Sequence, residues 1–103
     1  MVIVHNVFRL KFGKAREAAA LMKEAIAIQK RLGVDVGQRL LTDVTGPFYT
    51  LILELTLPNL AAVETTLSKV MSDKEFHANY EKFVPLVESG HRDVFNEIGR
   101  AHV

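Results

Sequence analysis

The stretch Val34–Leu57, VDVGQRLLTDVTGPFYTLILELTL, predicts the β-hairpin around which the fold is built. Two alternating runs of apolar and polar residues flank Gly46 and Pro47, which are the predicted two-residue turn. The resulting register pairs Thr45 with Phe48, Val44 with Tyr49, Thr42 with Leu51, Leu40 with Leu53, and Arg39 with Glu54. The last of these pairs brings opposite charges side by side, which favours the register.

The residues before the hairpin predict one strand and one helix. Val2–Phe12 alternates between a nearly apolar face and a mixed face, as a half-buried strand does. Lys14–Gly33 is rich in strong helix formers and repeats its apolar residues at helical spacing. Gly33 stands where a glycine commonly follows the last residue of a helix.

The residues after the hairpin predict a helix in two segments and a final strand. Asn59 is a good N-cap for the first segment. Ser72–Glu75 has the S-x-x-E pattern of a capping box, so a second segment is expected to begin at Asp73. Pro85 removes a backbone donor, so this helix should kink or end nearby. His91–Ile98 alternates again and predicts the last strand.

The predicted order β-α-β-β-α-β indicates a ferredoxin-like α+β fold. Two strand–helix–strand units with right-handed crossovers give an antiparallel four-stranded sheet in the order 4-1-3-2, with the helices on one face. The chain has 103 residues, which is enough for one compact domain spanning residues 1–103. A domain this small often gains stability by oligomerising.

Composition excludes several classes of function. Thirteen basic and 12 acidic residues give a net charge of +1, so neither nucleic acid nor a membrane is an expected partner. The chain has no cysteine, which rules out disulfides, thiolate catalysis and cysteine-based metal sites. The N-terminus is too interrupted for a signal peptide, and no apolar run approaches the roughly 20 residues that span a bilayer. A cytoplasmic protein is therefore expected.

The predicted sheet has more apolar surface than its helices can cover. The set expected beneath the helices is Val2, Val4, Phe8, Leu10, Leu40, Val44, Tyr49, Leu51, Leu53, Leu55, Val94 and Ile98. The opposite face carries the apolar residues Ile3, Val7, Leu41, Phe48, Ile52 and Phe95 and the polar residues His5, Arg9, Arg39, Glu54 and Glu97. A face of this mixed character predicts a homodimer that packs sheet to sheet.

Three sequence segments, together with the last predicted strand, resemble the dimeric α+β barrel superfamily, and the resemblance covers nearly the whole chain. They are FRLKFGKAREA (8–18), LLTDVTGPFYTLILEL (40–55) and NLAAVETTLSKVMSDKEFHANYEKFVPLVESG (59–90). Within that superfamily they look most like small NIPSNAP-like proteins, and next like the antibiotic biosynthesis monooxygenase group. The resemblance implies two ferredoxin-like subunits packed through their sheets with the helices outside. It specifies the fold better than the chemistry.

The candidate ligand site lies between the predicted sheet and helices. Asn6 matches an asparagine that lines this pocket in the monooxygenase group, where its amide could hold a substrate oxygen or dioxygen. A Tyr80 hydroxyl near Asn6 would complete a small polar centre in an apolar pocket. Gln38 and Thr42 face the same side. His77 lies at the edge of the predicted buried stripe of its helix, which consists of Phe76, Tyr80, Phe83 and Val87. The alternative is that Asn6 is bonded to a neighbouring group and that Tyr80 is a core residue.

A second constellation, His5, Arg9, Arg39 and Glu54, is expected inside the dimeric barrel. A histidine beside a carboxylate could serve in acid–base catalysis, and the alternative is a charge network that fixes the register of the interface. No metal is expected, because His91 and Asp93 lack a third ligand. No cofactor is expected either. Haem-degrading relatives carry a tryptophan that this chain lacks. If Phe76 is matched to the phenylalanine of these relatives, the position of their haem-binding histidine falls on Tyr80.

These observations predict a homodimeric NIPSNAP-like barrel protein that binds a small apolar or aromatic molecule between its sheet and helices. Two alternatives remain open. One is a cofactor-independent monooxygenase, or a related small-molecule enzyme, that uses Asn6 and Tyr80. The other is a structural or interaction protein without pocket chemistry. The identity of the ligand or substrate cannot be derived from these residues.

Overall fold

A computed structural model describes residues 1–99, which form a four-stranded sheet and three helices. The elements are β1 (Val2–Leu10), α1 (Ala15–Arg31), β2 (Arg39–Thr42), β3 (Thr50–Leu57), α2 (Leu60–Met71), α3 (Lys74–Phe83), a 3-10 turn (Val84–Leu86) and β4 (Val87–Asn96). The strand order is β2-β3-β1-β4 and every pairing is antiparallel. The prediction of a ferredoxin-like sheet in the order 4-1-3-2 is confirmed.

The predicted hairpin register is confirmed, but the predicted two-residue turn is wrong. Arg39 pairs with Glu54, and the ladder of β2 and β3 ends at Thr42 and Leu51. Proline cannot adopt the positive φ that a type I′ turn needs at its second position, which excludes that turn for Gly46-Pro47. A wider loop over residues 43–49 joins the two strands instead.

Asp43 and Thr50 fix the β2–β3 loop at the point where the two strands separate. Asp43 Oδ1 accepts a hydrogen bond from the Thr50 amide at 2.9 Å, and the Thr50 hydroxyl donates to the Pro47 carbonyl at 2.9 Å. Val44 and Tyr49 therefore lie outside the ladder, and Val44 is 96% exposed rather than buried. Tyr49 has a φ of +60°, and its ring packs edge-on against Phe12 at 5.0 Å.

The helical region divides where the sequence predicted, but a different residue provides the cap. Asn59 caps α2 by accepting a hydrogen bond from the Ala62 amide at 2.9 Å. Asp73, and not Ser72, is the N-cap of α3: its Oδ2 accepts from the Phe76 amide at 2.9 Å. The Ser72 hydroxyl donates instead to the Lys69 carbonyl, at the end of α2. The α3 helix ends at Phe83, two residues before Pro85.

The core lies between the helices and one face of the sheet, as expected. Its buried members include Val4, Leu10, Leu51 and Leu53 of the sheet, together with Met22 of α1. Three residues predicted for this core are exposed. Val44 is in the loop, Ile98 lies beyond the end of β4 and is 98% exposed, and Val94 is exposed on the edge strand. Phe12 likewise lies beyond the end of β1 and is exposed.

The last strand begins at Val87, four residues earlier than predicted, and it runs through Gly90. Gly90 pairs with Phe8 of β1. A Cβ added at Gly90 would lie 3.2 Å from Phe8 Cδ1 and 3.3 Å from the Val7 carbonyl oxygen. The missing side chain thus leaves room for the Phe8 ring, which packs edge-on against Phe83 at a centroid distance of 5.0 Å.

None of the helices in residues 1–99 combines the length and the apolar character needed to cross a membrane.

Candidate functional site

The site predicted between the sheet and the helices corresponds to a cavity of about 180 Å³, called here the inner cavity. Its floor is formed by β1, β3 and β4, and its walls come from all three helices. The lining residues are Val4, Asn6, Phe8, Met22, Gln29, Leu53, Leu55, Leu57, Val63, Thr66, Leu67, Val70, Met71, Phe76, Tyr80 and Arg92. The lining is mainly aliphatic and aromatic, and Arg92 is its one charged residue.

Asn6 lies at the polar end of the inner cavity, between Leu53 of β3 and Arg92 of β4. Its Oδ1 accepts a hydrogen bond of 2.6 Å from Arg92 Nε. Because a guanidinium has only donors, this contact fixes which end of the amide faces Arg92. The Asn6 NH2 group is directed elsewhere and has no protein partner within residues 1–99.

Tyr80 of α3 lies where the inner cavity meets a second, more open cavity of about 400 Å³, called here the rim cavity. The two cavities share Asn6, Phe8, Tyr80 and Arg92. Tyr80 is 43% exposed, so the prediction that it belongs to a buried stripe is only partly right. The structure brings Tyr80 and Asn6 to the lining of one site, together with an arginine that sequence reasoning did not single out.

Arg92 was missed although the sequence carried a signal for it. Val94 was assigned to the helix-covered face, and residues two apart in a strand share a face. In the observed register Val4 pairs with Val94, and Asn6 with Arg92. Recognising the site required knowing that β4 pairs with β1 in this register, which no local pattern reveals.

The other three candidate ligand residues lie outside the inner cavity. The Gln38 amide donates to Gln29 Oε1 at 3.1 Å and to the Val34 carbonyl at 3.0 Å, which ties the end of α1 to the chain that follows it. Thr42 lines a separate surface groove beside the β2–β3 loop. His77 is exposed on α3 and lies 3.2 Å from Glu81.

The opposite face of the sheet, called here the outer face, carries a charged network. Glu54 accepts from Arg39 Nε at 2.8 Å through one carboxylate oxygen and lies 2.8 Å from His5 Nε2 through the other. The Glu54 side chain is only 12% exposed. Hydrogen bonding to Arg39, and then to His5, holds the pKa of Glu54 below its usual value, against the opposing effect of burial. Arg9, the fourth predicted member, makes no ion pair within the described residues.

The outer face is also apolar beside this network. His5 packs edge-on against Phe95, with ring centroids 5.4 Å apart, and Phe95 is half exposed. Ile3, Val7, Leu41 and Ile52 of the same face are partly exposed. Phe48, predicted to belong here, lies instead in the β2–β3 loop and is largely exposed.

Metal-binding geometry is absent from the part of the chain that the structure describes, where no three histidine, aspartate or glutamate side chains cluster. His91 Nε2 and Asp93 Oδ2 are 3.1 Å apart on the exposed edge strand.

No protein-family model matches the sequence, and no curated protein matches it either. Solved structures do match. A NIPSNAP domain protein from Burkholderia xenovorans has a TM-score of 0.85 at 13% identity and covers 100% of both chains. The fold is that of NIPSNAP domain proteins. A NIPSNAP family protein from Agrobacterium tumefaciens has a similar structure. Its TM-score is 0.82 at 21% identity, and the match covers 92% of this chain and 90% of that protein's chain.

The antibiotic biosynthesis monooxygenase fold is a more distant match. One structure described by that name has a TM-score of 0.74 at 13% identity and covers 96% of this chain and 100% of its own. At these identities the NIPSNAP-like resemblance is confirmed for the fold, and the chemistry has to be argued from the residues of this chain.

Proposed function

We propose that this NIPSNAP-like protein binds a small apolar or aromatic molecule in the inner cavity. The observation that carries the proposal is the character of the cavity: an aliphatic and aromatic lining with one polar end formed by Asn6, Tyr80 and Arg92. Small-molecule sites commonly combine an apolar lining with a few polar groups that fix orientation. The cavity volume of about 180 Å³ suits a compact ligand, since a cavity of roughly 150 Å³ admits benzene.

The Asn6 NH2 group at the polar end is open to solvent, since no buried side-chain polar atom of the described residues lacks a hydrogen-bond partner, and this open donor supports a binding role over a purely structural one. In a structural arrangement, protein groups would saturate the hydrogen-bonding capacity of Asn6. The Asn6 NH2 group instead lacks a partner within residues 1–99, while the Gln38 amide has two. Open capacity beside an apolar cavity is what a ligand with a polar end would use.

Filling the cavity tests the proposal. A panel of aromatic and short aliphatic compounds is screened by isothermal titration calorimetry, and the compound that binds wild type is then tested on Leu67→Trp. Leu67 lines the cavity, so the larger ring should weaken binding at least tenfold. Leu60→Trp is the matched control, because Leu60 is exposed on the same helix and does not line the cavity.

Two results would contradict ligand binding in the inner cavity. One is equal affinity of wild type and Leu67→Trp for the compound. The other is the absence of binding by any panel member at millimolar concentration, which would favour a structural or interaction role without pocket chemistry.

We further propose that the protein is a homodimer packed through the outer face. Support comes from the partly exposed residues Ile3, Val7, Leu41 and Ile52 and from the half-exposed Phe95. Contiguous exposed apolar surface commonly marks an association site. The Arg39–Glu54–His5 network lies on the same face, and such polar groups can fix the register of an interface.

Sedimentation velocity tests the dimer at micromolar concentration. Wild type is expected to sediment as a dimer, and Ile52→Lys as a monomer or an aggregate, because a lysine there would be buried without a partner. Ala27→Lys on the exposed side of α1 adds the same charge and should leave the dimer intact. A well-folded wild-type monomer would contradict the proposal.

A cofactor-independent monooxygenase is a second candidate. Its support is the fold shared with an antibiotic biosynthesis monooxygenase, together with the Asn6 amide in the cavity lining. A phenol could supply the electrons itself: one atom of O2 would enter the ring as a quinone carbonyl, and the other would leave as water. Oxygen uptake with a panel of phenols, lost in Asn6→Leu and retained in Leu60→Trp, is the expected result. No uptake with wild type would contradict this activity.

A further inference from the structure

We propose that the ligand of the inner cavity carries a carboxylate, which Arg92 binds through its two Nη groups with help from the Asn6 NH2 group. This inference rests on the proposed binding function and adds the chemical class of the ligand. Its basis is the arrangement of donors at the place where the inner and rim cavities meet.

Arg92 is held in a defined orientation. Its Nε donates to Asn6 Oδ1 at 2.6 Å, and the two residues are direct neighbours in the β1–β4 ladder. A guanidinium whose Nε is occupied still presents its two Nη groups as a parallel pair of donors. That pair matches the two oxygens of a carboxylate, the geometry that makes arginine–carboxylate contacts strong and directional.

Arg92 is an exposed residue of the edge strand, and no carboxylate of the described chain pairs with it. Arg92 forms no salt bridge within residues 1–99, whereas Arg31 and Arg39 each pair with carboxylates. Glu88 and His91 also line the rim cavity but form no ion pair with Arg92. Arg92 therefore stands at the solvent-exposed mouth of an apolar cavity with no protein carboxylate beside it, a position complementary to the anionic end of a ligand whose apolar part is buried.

The remaining polar groups favour an acceptor-rich ligand. Asn6 Oδ1 already accepts from Arg92, whereas no protein group among the described residues accepts from the Asn6 NH2 group, so the amide offers the site free donors. Tyr80 lines both cavities and adds a hydroxyl. A carboxylate would accept from these donors, while a compact apolar body would extend into the inner cavity among residues such as Phe8 and Phe76. The predicted class is therefore a small aromatic or aliphatic monocarboxylic acid.

Matched neutral and anionic probes test this inference. Benzoate and benzamide have the same shape, and only benzoate carries a charge; phenylacetate and hexanoate extend the acid series. Calorimetric titration of wild type should give an affinity for benzoate at least about tenfold higher than for benzamide. Arg92→Gln should lower the affinity for benzoate by a similar factor and change that for benzamide much less, because only benzoate loses a charged partner.

Two further variants separate binding from general effects of charge and folding. Lys23→Gln makes the same change of net charge at an exposed position on α1 that lines no cavity, and it should bind benzoate as wild type does. Asn6→Asp keeps an acceptor for Arg92 but replaces the NH2 donors with a negative charge. It should lower the affinity for benzoate much more than that for benzamide, because only benzoate meets charge repulsion, and this preserves the test if Arg92→Gln fails to fold.

The outcomes distinguish this inference from the proposed function on which it rests. Equal affinity for benzoate and benzamide, or an unchanged affinity for benzoate in Arg92→Gln, would overturn the role of Arg92 while leaving ligand binding in the cavity intact. If none of the acids binds wild type at millimolar concentration but neutral compounds do, the carboxylate is excluded and the proposed function stands. If no compound of either kind binds, both proposals fail.

Discussion

Replacing Glu54 with glutamine removes the one charge that holds together the polar network of the outer face. The carboxylate is almost buried, and its two oxygens contact Arg39 and His5 at 2.8 Å each. In Glu54→Gln, the remaining carbonyl oxygen can still accept from Arg39. The new NH2 group can donate to an unprotonated His5 nitrogen. The variant therefore loses the electrostatic part of both contacts but does not lose the contacts themselves.

The size of the effect follows from this partial loss. A hydrogen bond to a charged group contributes about 1.5–3 kcal/mol, against about 1 kcal/mol for a neutral one. Solvent screens the attraction, because the Arg39 side chain is two-thirds exposed. We therefore expect Glu54→Gln to lower the free energy of unfolding by about 1–2 kcal/mol at pH 7.

The pH dependence of that difference is the sharper test. The pKa of Glu54 is lowered in the folded protein, so its ionised form stabilises the fold above the unfolded-state pKa of about 4.3. This contribution is lost as pH falls through the lower pKa of the folded state. The difference in the free energy of unfolding between wild type and Glu54→Gln should therefore be largest at neutral pH and should decrease in acid.

Urea denaturation from pH 7 down to pH 3 measures this difference, with protein concentration held constant because a dimer makes stability depend on concentration. Glu64→Gln is the control, since Glu64 is exposed on α2 and forms no salt bridge within the described residues. It should change stability by less than about 0.5 kcal/mol throughout. A difference for Glu54→Gln that does not vary with pH would refute the assigned role of the carboxylate.

Two further predictions concern the helices and the edge strand. Asp73→Ala should lower the thermal unfolding midpoint by several degrees and Ser72→Ala by much less, because Asp73 caps α3; equal shifts in scanning calorimetry would count against this assignment. Gly90→Ala should destabilise the fold by about 1 kcal/mol in urea denaturation, since the new Cβ would meet Phe8 and the Val7 carbonyl. An unchanged or raised stability would show that β4 can move away from β1.

The parts of the fold that sequence predicted are those that local chemistry determines. The hairpin register follows from alternation and from the Arg39–Glu54 pair, and both are observed. The division between α2 and α3 was predicted from the S-x-x-E pattern of a capping box. That pattern predicted Ser72 as the N-cap of α3, one residue before the observed N-cap, Asp73. The loop over residues 43–49 was missed because a glycine–proline dipeptide was treated as a tight turn.

The parts that sequence did not predict depend on contacts between distant segments. Val94 and Ile98 alternate as core residues would, yet Val94 is exposed on the edge strand β4 and Ile98 is exposed beyond the end of that strand. The residues of the candidate site differ in the same respect, since some could be recognised locally and others depend on distant contacts. Asn6 could be recognised as a polar exception in an apolar strand. The spacing from Val94 could place Arg92 on the helix-covered face, but its contact with Asn6 could not be predicted, because that contact joins residues 86 positions apart in the chain.

The two polar clusters of this molecule depend on the register of a single strand. His5 and Asn6 are consecutive in β1, so they point to opposite faces of the sheet: His5 meets Glu54 on the outer face, and Asn6 meets Arg92 at the inner cavity. A slip of β1 by one residue would exchange the faces and break both contacts. Register is protected because β1 is paired on both sides, with β3 along one edge and β4 along the other. A dimer built on the outer face would hold β1 in the same register that sets the position of Asn6 beside Arg92. For that reason, ligand affinity should be measured on Ile52→Lys as well as on wild type: a monomer that binds benzoate with unchanged affinity would show that pairing within one subunit is sufficient to form the site.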